Sequence, residues 1–213
     1  MSVQKASIAA IVLLSLAGCS RQGDIDVTGG IVSSWSPCPA VGIPEHTGDI
    51  TLFNPPESRE ARAIDVVANI TNLRSNCNVG GAQLATQATF DVLARRSDPN
   101  GARDVTLPYF ATVLRGGSAV VSKRVGQIRL HFEDGQYRTS ATGTAQSYVD
   151  TDQATLPADI QDRITRDRKP GDPDAALDPM ADPAVRAALQ RTGFELLIGF
   201  NLTQDQLKYN VMR

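Results

Sequence analysis

Apolar side chains recur at every second position along much of the chain. Ile64, Val66, Ala68 and Ile70 share one face of an extended run, and Asp65, Asn69 and Thr71 share the other. That alternation predicts a strand buried on one side. Ala88, Phe90, Val92 and Ala94 repeat the device against Asp91 and Arg95, and the run ends at Ser97-Asp98-Pro99-Asn100-Gly101, a set of residues that favours a turn. Val105 to Leu114 and Ala119 to Val125 flank Arg115-Gly116-Gly117-Ser118. Those two runs predict a hairpin whose glycines take the positive φ of a tight turn. Ile128, Leu130 and Phe132 alternate with polar residues up to Asp134-Gly135. Tyr137 to Val149, rich in Thr and Ser, predicts a strand at or near a sheet edge.

From Asp150 to Thr192 the alternation stops and five prolines accumulate. Ile160 and Ile164, four apart after Pro157, predict a short helix over Leu156 to Arg166, and Asp182-Pro183 supplies a cap and a first-turn proline for a second helix over Ala184 to Arg191. Phe194, Leu196, Ile198, Phe200 and Leu202 then form the most regular apolar face, which predicts a central or strongly packed last strand. Thr203 can cap a terminal helix with Leu207 and Val211 on one face, so such a helix and a final extended segment are both open. About seven strands at short intervals predict a mainly β fold, an antiparallel β-sandwich of immunoglobulin-like architecture with a short helical Pro/Asp-rich insertion before the last strand. The marker order Cys, Trp, Cys of such sandwiches is broken, because Trp35 precedes Cys38. A disulfide here is therefore not expected to be the familiar inter-sheet bridge.

The amino-terminal segment departs from this pattern. Lys5 is the one charge ahead of the apolar run Ile8 to Leu16, and Ala17-Gly18 comes next as a small-residue step. The run is too short for the roughly 20 residues of a membrane-spanning helix and has the layout of an export signal. Leu16-Ala17-Gly18-Cys19 resembles the lipobox of bacterial lipoproteins. The resemblance covers the first twenty residues. It implies lipidation of the Cys19 sulfur, cleavage after Gly18 and acylation of the new amino terminus, fatty acids such as palmitate being the anchor. Two or three acyl chains hold a protein firmly where one does not. Ser20 stands where an aspartate would direct retention at the inner membrane, so the resemblance favours the periplasmic face of the outer membrane. The organisation expected is a signal peptide over 1–18, a tether over 19–30, and a sandwich domain over 31–213 with residues 150–192 as its insertion.

With Cys19 assigned to lipid, Cys38 and Cys77 remain. An exported protein with one cysteine pair predicts a disulfide, and closing a loop of that size disfavours the unfolded chain by roughly 4 kcal/mol in the loop-entropy account. A formal net charge of −2 gives no reason to expect nucleic acid as a partner. Arg95-Arg96 and Arg163, Arg166 and Arg168 are expected on the solvated surface.

Catalytic chemistry is sparse. His131 falls on the solvated face of its strand, His46 lies in a turn-rich loop beside Glu45 and Asp49, and Gly116-Gly117-Ser118 lacks the nucleophile elbow of a hydrolase. Asp172, Asp174, Asp178 and Asp182 match no calcium loop, and three of them precede proline, which suffices for turns. No phosphate-binding or dinucleotide motif is present, and no cofactor or metal site is expected. Two readings remain. One is a non-catalytic, lipid-anchored envelope protein that contacts other envelope proteins; the other is a lipid-anchored hydrolase or small-ligand binder with a site built from loops.

Overall fold

The computed structural model describes residues 35–166, 168–169 and 171–213. The expected signal peptide, lipobox and tether lie outside them. The described chain is mainly β, with eight strands and four α-helices: β1 (Ala40–Gly42), β2 (Asp49–Phe53), β3 (Ile64–Asn78), β4 (Gln83–Arg96), β5 (Arg103–Arg115), β6 (Ala119–Phe132), β7 (Arg138–Asp150), α1 (Thr151–Ala154), α2 (Ala158–Thr165), α3 (Pro183–Thr192), β8 (Phe194–Phe200) and α4 (Gln204–Met212). They build two four-stranded sheets, ordered β1-β8-β5-β6 and β2-β3-β4-β7. All pairings are antiparallel except β1 with β8.

The alternating runs become strands because each has one face to bury. Val66, Ala68 and Ile70 from β3, Phe90 and Val92 from β4, and Leu196, Ile198 and Phe200 from β8 meet in a single core between the sheets. β8 lies between β1 and β5, and β7 forms the last strand of its sheet, as their sequences predict. The run 119–125 and the run 128–132 are one continuous strand. Gly116 and Gly117 take φ of 60° and 75° in the turn before it, conformations that cost an L side chain energy.

The connections between sheets depend on a residue expected at the surface. Arg96 is 3 % exposed. Its guanidinium donates to Pro99 O and Gly101 O in the β4–β5 crossing and to Glu133 O and Gln136 O in the β6–β7 crossing, while stacking over Phe132 at 5.2 Å. Planar, multiply donating arginine suits this role. Arg168 likewise is buried, donating to the carbonyls of Arg163 and Arg166. Both correct the surface reading.

A second, smaller core forms under the helices from Leu156, Ile160, Ile164, Val185 and Ala188, against which Trp35 packs. Asp182 caps α3 by accepting from Ala184 N at 2.7 Å. The carboxy-terminal segment is helical, secured by a capping box between Thr203 and Gln206. Its Asn210 donates to the carbonyls of His46 and Asp49, both at 2.8 Å, and Leu207 and Val211 face solvent. Cys38 and Cys77 form a disulfide with Cα atoms 6.1 Å apart. It joins the segment leading into β1 to β3 of the other sheet, so it does link the sheets, but from outside the core cluster.

Candidate functional site

β6 changes character halfway. Ile128, Leu130 and Phe132 are buried, whereas every residue from Ala119 to Val125 is exposed. Ser122 and Arg124 continue the phase of the three buried residues, so their exposure means that no layer of the described residues faces this half of the strand. The point of divergence is Gly126. The Tyr109 ring lies against it, meets Phe90 edge-on at 5.2 Å and donates its hydroxyl to Thr144 O of β7 at 2.8 Å. One tyrosine thus pins β5 and β6 to the opposite sheet there.

Beyond that pin, among the described residues, β6 pairs with β5 alone and ends its sheet. Its outward N–H and C=O groups form an unpaired row, which is the template for an added strand. Val120, Val121 and Val125 are 63 %, 54 % and 57 % exposed, and Lys123 and Arg124 stand among them without an acid anywhere in 119–125. The site is an apolar, positively charged sheet edge. In the sequence it was signalled by adjacent apolar residues, Val120-Val121, where a half-buried strand would alternate.

The histidines lie apart from it. His131 Nδ1 is 2.7 Å from Asp104 Oδ1, its cross-strand neighbour, and Nε2 is 3.3 Å from Glu133. The hydrogen bond to Asp104 raises its pKa above the ordinary histidine value, with Glu133 adding to the effect. A carboxylate is therefore in reach, but no hydroxyl is among the described partners of His131, and the ring is half exposed. His46, at φ 61°, has Glu45 at 3.9 Å.

Each member of the acidic cluster serves its own neighbourhood. Asp172 accepts from Lys169 N, Asp174 pairs with Arg166, Asp178 caps Met180 N, and Asp182 caps α3 and pairs with Arg163. Among the described residues no three His, Cys, Asp or Glu side chains converge as a metal site, and no helix is long and apolar enough to cross a membrane. Cys19 lies outside the described residues. No known protein family, curated protein or solved structure matches the chain.

Proposed function

We propose that the protein is a non-catalytic, lipid-anchored module of the cell envelope, held through Cys19 on the periplasmic face of the outer membrane, that engages another envelope protein by strand addition to β6. The observation that carries the reading is the edge over 119–125, which among the described residues is open on both faces and unpaired on one side. The Leu16-Ala17-Gly18-Cys19 motif supports the anchor, and the Cys38–Cys77 bridge suits an oxidising compartment. In this reading residues 31–213 are one domain with 150–192 inserted. The immunoglobulin-like assignment draws on the two facing sheets and the parallel β1–β8 pairing; the consecutive β2-β3-β4 meander is where it differs most from that pattern.

Two measurements test the proposal. Labelled palmitate should be incorporated into the wild type and not into Cys19→Ser, and equal labelling would refute the anchor. A photo-crosslinking residue at position 122, in intact cells, should give a discrete adduct with another envelope protein that a probe at position 152 does not give. Equal adducts at both positions would refute the edge.

The His131–Asp104 contact, being two parts of a hydrolytic triad, favours a second reading as a lipid-anchored hydrolase or small-ligand binder. Its site would need a nucleophile brought to His131 by a bound partner. Loss of any hydrolytic activity in His131→Gln is the corresponding test.

A further inference from the structure

The outer face of β3, β4 and β7 carries a groove of about 600 Å³, lined by Val67, Asn69, Leu93, Arg95, Arg138 and Ser140. The ladder sets its layout. In one row Arg95 stands between Val67 and Arg138; in the next, Leu93 stands between Asn69 and Ser140. Two guanidiniums thus sit at one end, and an amide and a hydroxyl flank an apolar floor whose Leu93 is 46 % exposed.

Like charges directly opposite in a ladder destabilise a sheet, and an acid commonly stands between such groups. Here none does. Among the described residues no ion pair involves Arg95 or Arg138. The carboxylates nearest along the same face are engaged elsewhere: Asp65 by Arg103 at 2.9 Å, Asp49 by Arg213 at 3.1 Å, and Asp91 by Asn72 and Thr142 at 2.7 and 2.9 Å. The bonds from Asn72 and Thr142 hold the Asp91 carboxyl below its ordinary pKa, so it stays an anion occupied by its own donors. Next to the groove, Tyr137 lines an adjoining depression that shares Val67 and Arg95 with it.

We propose that this groove binds a small organic acid, its carboxylate or phosphate held between Arg95 and Arg138 and its apolar body lying over Leu93 and Val67. Guanidinium forks match both headgroups in geometry as well as charge. The apolar floor distinguishes an organic acid from a bare anion, because only the former covers Leu93. The site belongs to the sheet that does not contain β6, so it stands or falls independently of strand addition.

The test is an NMR titration of the full chain carrying Cys19→Ser with octanoate, octyl phosphate, inorganic phosphate and octylamine. Octanoate and octyl phosphate should shift the Leu93 methyl and the Arg95 and Arg138 Nε–H signals saturably, and inorganic phosphate should bind at least about tenfold more weakly. Octylamine should leave those signals unmoved. The double variant Arg95→Gln, Arg138→Gln should lose at least about tenfold in octanoate affinity, while Arg124→Gln, on the other sheet, should keep it. Without ligand and at low salt, removing the facing charges should raise Tm by about 1–3 °C. Octanoate shifts that persist in the double variant, an equal response to octylamine, or phosphate binding as tight as that of octyl phosphate would each overturn the proposal.

Discussion

Arg95 and Arg96 are neighbours of the same type with opposite environments. The cause is parity. Arg96 continues the inward series Ala88, Phe90, Val92 and Ala94 of β4, whereas Arg95 shares the outward face with Asp91. A buried guanidinium is tolerated because backbone carbonyls accept its hydrogen bonds; Pro99 O and Glu133 O also accept from Gly135 N and Gln136 N, so removing it would leave the carbonyls of Gly101 and Gln136 without a described donor. Arg96→Met should lower stability by about 3 kcal/mol or more in urea unfolding, and Arg96→Lys should recover little, since an ammonium cannot span the four carbonyls. A loss below about 1 kcal/mol for Met would contradict the stapling role. His131 makes a gentler prediction. Its folded pKa is raised by Asp104, so its contribution to stability is present in full below the unfolded value of about 6.5 and fades as pH rises through the folded value. The Tm gap between wild type and His131→Gln should therefore be largest near pH 5.5 and close in mildly alkaline buffer. A gap that stays constant across that range would contradict the pairing.

At the scale of elements, legibility followed the number of buried faces. β3, β4 and β8 each bury one face against the core, and their alternation made them readable. The first half of β6 buries neither, so it lacks the alternation that would have joined 119–125 to 128–132 as one strand. β1 and β2, three and five residues long, are too short to establish a period, and neighbouring strands rather than local pattern fix them. The Asp/Pro segment was legible as caps and turns because Asp178 and Asp182 act on backbone N–H groups two residues away. Arg168 was not, since its burial depends on a fold-back that spacing does not encode. The cysteine pair was readable by elimination. Cys38→Ser with Cys77→Ser should lower stability by about 2–4 kcal/mol, because the bridge spans 39 residues and its loss frees the unfolded chain. A change within about 0.5 kcal/mol, read by guanidinium unfolding, would show that the loop is already closed by noncovalent contacts.

Over the whole molecule, two cores of unequal size share one frame. The large one lies between the sheets and the small one lies under the helices, with Gly116 N bonded to Gly193 O and Arg115 Nε to Arg191 O where strand and helix layers meet. The cations on the open edge also bear on assembly. Antiparallel pairing of two copies would bring two lysines and two arginines into one short ladder with no acid to offset them, so the edge proposed to take a foreign strand repels its own kind. The disulfide acquires a mechanical meaning from its position. A pull on the chain ahead of Trp35 reaches Cys38 before it reaches β1, and there a covalent link hands the load to β3, which is hydrogen-bonded on both sides by β2 and β4. The three-residue β1, which tension would peel away one bond at a time, is bypassed. A load entering from the amino-terminal side is thus handed to a fifteen-residue interior strand of the sheet instead of a three-residue edge.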